Sequence, residues 1–98
     1  MKILLRRSGG FAGVAMECAV ATDELPPPER RELETLLDRA HPEALRSDLS
    51  GEGFDLLRYD LSIDGGDRSI TLSFDDGTLP DRLVPLIEWL AERLGPVR

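Results

Sequence analysis

Apolar and polar residues alternate at the start of the chain, around a segment rich in glycine. Residues 2–7 place Ile3 and Leu5 on one face, which predicts a short strand. The next segment, 8–13, contains three glycines and predicts a turn or bulge. Residues 14–21 alternate again, with larger apolar side chains at every second position. We therefore predict a hairpin of two strands joined by a glycine-rich loop.

The next stretch has helical spacing over residues 28–40. Its inward-facing residues are Leu33, Leu36, Leu37 and Ala40. Prolines at 26–28 suit the first turn of a helix, where backbone N–H groups have no partner. His41 precedes Pro42, and a residue before proline is displaced from the α region, so the helix should end there. The polar connection 43–53 follows, with one helical turn expected at 43–46.

Two more alternating runs, 57–63 and 69–74, are joined by a turn containing Gly65 and Gly66. This pattern predicts a second hairpin. A last helix should follow Pro80, with a cap from Thr78 and Asp81. Its apolar face consists of Leu83, Leu86, Ile87, Leu90 and Leu94. The pair Gly95-Pro96 should end it.

These elements fit one small α+β domain over residues 1–98. The predicted order is ββαββα, with a four-stranded antiparallel sheet and both helices packed on one face. A chain of 98 residues leaves no room for a second core.

The charge is unevenly distributed, and its sign bears on the partners that the chain can bind. Residues 1–22 carry three cations against one carboxylate, whereas the rest carries nine arginines against eighteen carboxylates. Because phosphate binding requires clustered cations, the acidic majority argues against nucleic acid and anionic membranes as partners.

The single cysteine and the single histidine limit the chemistry further. Cys18 has no disulfide partner in the chain, and a zinc site built on several thiolates or paired histidines is excluded. We expect no cofactor and no metal. Cys18 falls on the inward face of a predicted strand, where cysteine behaves as a small apolar residue. His41 lies at a helix end with no nearby nucleophile, which indicates a structural position.

The N-terminus imitates a signal peptide, since cations precede a weakly apolar stretch. Glu17 interrupts that stretch, and cleavage after it would remove both strands of the first hairpin. No apolar run approaches the ~20 residues of a membrane span. We expect a soluble, cytoplasmic protein that is monomeric when free.

Aspartates cluster in two predicted turns, at 64–67 and 75–76. Calcium binding is one interpretation, but the spacing lacks the alternating ligands of a calcium loop. The other interpretation is turn chemistry, because aspartate bonds to its own backbone there, and we favour it.

Two aromatic residues are candidates for partner contact. Phe11 stands among the loop glycines, beside the basic Arg6 and Arg7. It either folds back into the core or projects into a partner's pocket, as interface anchors do. Trp89 lies about 120° from the apolar face of the last helix, at ~100° per residue, so we expect it to be partly exposed. Packing against a loop and contact with a partner are both open for Trp89.

The block Arg7-Ser8-Gly9-Gly10-Phe11-Ala12-Gly13 after a short strand resembles the signature of the emfourin family. Similar features follow along nearly the whole chain, among them prolines before the first helix and the Asp64-Gly65-Gly66 turn. One departure is at 40–45, where similar sequences carry aromatics. If that connection contacts a target, the choice of target is expected to differ.

The resemblance implies a proteinaceous inhibitor of thermolysin-like zinc metalloproteases such as protealysin, and no enzyme activity. We hypothesise that the first hairpin loop contacts the protease cleft, because Phe11 is a bulky aromatic isolated among glycines, next to a basic patch formed by Arg6 and Arg7. The expected protease-binding residues are Arg7, Ser8, Gly9, Gly10, Phe11, Ala12 and Gly13, with Trp89 and His41 as secondary contacts. The alternative is a protein-interaction or self-associating module without inhibition, which would use a free sheet edge or the Trp89 face.

Overall fold

The computed structural model describes residues 1–9, 15–50 and 56–96. The described part contains five strands and two α-helices, together with three short 3₁₀ turns. In chain order the elements are β1 (Lys2–Gly9), β2 (Met16–Ala21), α1 (Pro27–Ala40), β3 (Leu57–Asp64), β4 (Ser69–Asp75), α2 (Val84–Ala91) and β5 (Gly95–Pro96). The 3₁₀ turns are Thr22–Glu24, Pro42–Ala44 and Asp81–Leu83.

The strands form one antiparallel sheet in the order β4-β3-β1-β2-β5, so β1 is central. Both predicted hairpins are confirmed, β1 with β2 and β3 with β4. The predicted count of four strands is wrong, and the element order is ββαββαβ. After α2 the chain returns to the sheet, and Gly95 pairs with Glu17 at the edge of β2. Pro96 is tolerated there because an edge strand does not need every N–H.

One face of the sheet carries the core. Alternate residues of four strands are buried on this face: Ile3, Leu5, Cys18, Val20, Leu61, Ile63, Leu72 and Phe74. They form one cluster with the apolar residues of both helices, which therefore cover this face together. The period of two in the strands and of 3.6 in the helices was sufficient to predict this arrangement.

Helix α1 begins one residue earlier than predicted and ends at Ala40, as predicted. His41 has a left-handed conformation (φ 45°, ψ 57°), and its N–H donates to the Leu37 carbonyl at 3.1 Å. The turn expected at 43–46 is the 3₁₀ turn Pro42–Ala44.

Two expectations about the last helix are wrong. No side chain caps it, because the Thr78 hydroxyl instead bonds to Asp48 and Asp75. Trp89 is not partly exposed, since only 6% of its surface is accessible. The Arg93 guanidinium lies 3.5 Å from the centre of the Trp89 ring and covers the flank that helical spacing left open.

Candidate functional site

The glycine-rich segment leaves the sheet from its central strand. We call this side of the sheet the loop end, where β1 stops at Gly9, β2 begins at Met16 and β3 begins at Leu57. Of the predicted contact residues, Arg7, Ser8 and Gly9 belong to β1. Gly10, Phe11, Ala12 and Gly13 lie outside the described residues, so the two interpretations of Phe11 remain predictions.

Strand β1 continues two residues beyond its predicted end at Arg7. Ser8 pairs with Arg58, and Gly9 pairs with Leu57, both on β3. Gly9 has a φ of +82°, and a β-carbon there would lie 2.9 Å from the Leu56 carbonyl oxygen. Only glycine fits such a close approach with a positive φ. The start of the loop is therefore fixed by backbone geometry.

Arg6 and Arg7 do not form one basic patch, contrary to the sequence interpretation. Successive strand residues point to opposite faces. Arg6 is exposed on the uncovered face, where it lies 4.0 Å from Glu17. Arg7 is half-buried on the face that the helices cover, opposite Tyr59 on β3. The two cations therefore act at separate places on the loop end.

Tyr59 and Asp76 lie together at the loop end beside Arg7. Burial raises the pKa of the Tyr59 hydroxyl, and the neighbouring Asp76 carboxylate raises this pKa further, whereas Arg7 lowers it. Asp76 also accepts a bond from the Leu57 N–H at 3.0 Å, and its own N–H donates to the Leu57 carbonyl at 3.1 Å. The sequence predicted Tyr59 in a strand and Asp76 in a turn. No local pattern indicates that two positions so far apart in the chain lie together.

Asp75, at the end of β4, is a buried carboxylate that accepts several hydrogen bonds. It is 5% exposed, and its oxygens accept bonds from the Ser50 N–H (2.6 Å), the Ser50 hydroxyl (2.7 Å) and the Gly77 N–H (2.8 Å). Hydrogen bonds from Ser50 are the main cause that lowers the pKa of Asp75. The predicted turn role is confirmed by Gly77, but Asp75 additionally anchors a segment 25 residues away.

The anchored segment adds to the edge of the sheet. Asp48 makes a parallel bridge to Phe74, and its N–H donates to the Ser73 carbonyl at 2.9 Å. The Thr78 hydroxyl donates to the Asp48 carbonyl. Together these bonds hold residues 47–50 against β4 at the loop end.

The secondary candidates are His41 and Trp89. His41 lines a cavity with Met1, Ile63 and Ile70, at the end of the sheet opposite the loop end. Its Nδ1 is 3.3 Å from a Glu43 carboxylate oxygen. Trp89 belongs to the core. The structure therefore places His41 away from the loop end and leaves little of the Trp89 surface for contact with a partner.

Among the described residues, no group of three or more histidine, cysteine or acidic side chains is placed to hold a metal. Cys18 is buried, and burial raises the pKa of its thiol, which leaves less of the nucleophilic thiolate at neutral pH. No helix in the described part of the chain is long and apolar enough to cross a membrane.

Three comparisons with known proteins complete these observations. The family model described as Emfourin matches residues 5–91, which include most of β1, all of β2 to β4 and both helices. Neither the comparison with curated proteins nor that with solved structures found a match.

Proposed function

Because this chain belongs to the emfourin family, a family of metalloprotease inhibitors, we propose that it inhibits a thermolysin-type zinc metalloprotease. In this proposal the loop end of the sheet enters the active-site cleft of the enzyme. Residues 8–13 make the main contact, and no catalytic group of the inhibitor takes part.

The observation that carries the proposal is the way in which the glycine-rich segment is supported. It begins at Gly9 on the central strand, with β2 on one side of β1 and β3 on the other. A loop held by a rigid base loses little conformational freedom on binding, which increases affinity. An inhibitor that must outcompete substrates benefits from such support.

Both edges of the sheet are also covered near the loop end. Residues 95–96 pair with Met16 and Glu17 on the β2 side, and Asp48 bridges to Phe74 on the β4 side. Covered edges do not pair with other chains, which favours specific contact through the loop.

The contact residues have distinct proposed roles. Phe11 is the apolar anchor, since thermolysin-type enzymes prefer bulky apolar residues next to the scissile bond. Gly9, Gly10 and Gly13 set the backbone path, and Ser8 and Ala12 present small side chains that permit close approach. Arg7 interacts with carboxylates at the rim of the cleft, an attraction that salt weakens.

A titration tests the proposal. A thermolysin-family protease at fixed concentration is mixed with increasing amounts of the purified protein, and residual peptidase activity is measured. We expect activity to fall with a saturating, stoichiometric dependence. Prior treatment of the inhibitor alone with a chelator, followed by desalting, should leave the curve unchanged. If activity persists at large excess against several thermolysin-family proteases, inhibition is wrong and the interaction-module alternative is favoured.

A further inference from the structure

Within the part of the chain that the structure describes, the outer edge of β4 is unpaired over half its length. The N–H of Ser73 donates to the Ser47 hydroxyl, and its carbonyl accepts from Asp48, so Ser73 points its main chain away from β3. In an antiparallel strand, main-chain direction alternates, so Thr71 and Ser69 point the same way. No described residue bonds to their main-chain groups on this side. A row of donors and acceptors without a partner among the described residues therefore faces outward.

A groove follows this open half of the edge. Its volume is about 630 Å³, with β4 on one side and residues 42–47 on the other. Leu45, Ile70 and Leu72 contribute apolar lining. An extended segment that bonded to Thr71 would place alternate side chains against this lining.

The charge of the groove is opposite to that of the whole protein. Arg46 and Arg68 line it and are exposed, and neither guanidinium pairs with a carboxylate of any described residue. The carboxylate in the same lining, Glu43, lies 3.3 Å from His41. The groove lining thus carries two arginines against one carboxylate, an excess of one positive charge in a chain of net charge −7.

The other edge of the sheet does not share these properties. Beyond β5, the β2 edge borders a groove of about 410 Å³ whose lining includes Glu17 and Glu24. Arg93 also lies there, but it stacks on Trp89 and pairs with Glu29 at 3.7 Å. The grooves at the two edges therefore carry charges of opposite sign, and of the two only the β4 edge attracts an acidic segment.

We propose that the open half of the β4 edge binds an extended acidic segment of a partner protein, which adds to the sheet as a further strand. Asp48 already bridges to β4 at the other half of the same edge, so the edge accepts an added chain. A second copy of this protein fits less well, because pairing of two identical edges would bring like charges of both grooves together.

This site is separate from the proposed protease contact. Ser69 lies opposite Asp64, which lies opposite Lys2 at the start of β1, whereas the loop leaves from Gly9. The eight residues of β1 span about 23 Å at ~3.3 Å per residue. The proposal does not rest on inhibition of a protease, and its test needs no enzyme.

The test uses a capped hexapeptide of alternating glutamate and valine, and a matched peptide of alternating lysine and valine. Each is titrated into the full chain at low salt while backbone amide resonances are followed by NMR. We expect saturable shifts at Ser69 and Thr71 with the acidic peptide, slower hydrogen exchange of both amides, and loss of binding at high salt. Shifts confined to other residues, or equal binding of the basic peptide, would overturn the proposal.

Four variants identify the recognition groups. Thr71→Pro removes an outward N–H and should abolish binding, whereas Thr71→Val keeps the main chain and should bind normally. The double change Arg46→Glu and Arg68→Glu should weaken binding at least tenfold, whereas Arg31→Glu, on an exposed position of α1, should not. If Thr71→Pro fails to fold, the charge variants still test the proposal. Unchanged binding in the double variant, or a dimer in sedimentation analysis that the peptide does not dissociate, would contradict the assignment.

Discussion

At the scale of single residues, Asp75 connects two parts of the chain that meet at the loop end. Its carboxylate bonds to Ser50, in the connection after α1, and to Gly77, in the turn after β4. A buried carboxylate is tolerated only when donors surround it. Asp75 therefore fixes the path of residues 47–50 beside β4.

The bonds of Asp75 predict a pH-dependent contribution to stability. Its pKa in the folded protein is below the ordinary value of 3.8. A carboxyl group with a depressed folded pKa contributes stability that is complete above its unfolded pKa and is lost as pH falls through its folded pKa. Asp75→Asn should lower the unfolding midpoint clearly at neutral pH and progressively less below about pH 4.

Denaturant unfolding at several pH values checks this expectation. Asp67→Asn is the matched control, because Asp67 is an exposed aspartate of the β3–β4 turn, and it should change the midpoint little at any pH. A difference between wild type and Asp75→Asn that stays constant with pH would show that the ionised carboxylate is not the stabilising form.

At the scale of elements, Gly9 determines how β1 passes into the loop. Two glycines of the described chain outside the helices have a positive φ, Gly9 and Gly66. At Gly66 an added β-carbon would meet nothing within 4 Å, whereas at Gly9 it would lie 2.9 Å from a backbone oxygen. Alanine substitutions at the two positions therefore distinguish the cost of backbone strain alone from the cost of strain combined with a steric clash.

We expect Gly66→Ala to cost about 1–2 kcal/mol, the penalty for a left-handed backbone, and Gly9→Ala to cost more. Denaturant unfolding of both variants gives the comparison. In the proposed function, Gly9→Ala also weakens protease binding by displacing the loop, while Gly66→Ala does not. Equal losses of stability would mean that Leu56 moves aside without cost.

Regular elements were predictable from sequence, whereas irregular contacts were not. The alternation of apolar and polar residues predicted both hairpins and the buried face of the strands, and Pro42 predicted the end of α1. β5 has two residues, too few for any alternation, and Gly95-Pro96 is equally typical of a helix end. The bond between Thr78 and Asp48 spans 30 positions. No local sequence pattern indicates this bond, so Thr78 was interpreted as a helix cap.

The Trp89 prediction failed for a related reason. Helical spacing gives the direction of a side chain but not what covers it. Arg93 follows one turn later, donates to the Trp89 carbonyl at 2.8 Å and stacks on the ring. Sequence resemblance identified the loop as part of the candidate site. The proximity of Tyr59 and Asp76 became apparent only from the fold.

At the scale of the whole molecule, the sheet has two ends with different surfaces. The loop end carries the glycine segment and covered edges, whereas the opposite end carries His41 and the open half of β4. We expect His41→Ala to leave the inhibition constant unchanged, because β1 separates it from the loop by about 23 Å at ~3.3 Å per residue. Inhibition assays with Arg7→Ala, expected to weaken binding, provide the comparison. A larger effect from His41 would move the contact surface to the opposite end.

The central claim is that the loop end binds the protease through Phe11, and one variant tests it most directly. Phe11→Ala is compared with Leu4→Ala, which truncates an exposed leucine in the middle of β1. For each protein, the inhibition constant against a thermolysin-family protease and the unfolding midpoint are measured together. We predict that Phe11→Ala costs about 2 kcal/mol or more of binding with a nearly unchanged midpoint, and that Leu4→Ala changes neither. If instead Phe11→Ala lowers stability by about 3–5 kcal/mol, as for a core phenylalanine, and the folded fraction inhibits normally, the claim is contradicted.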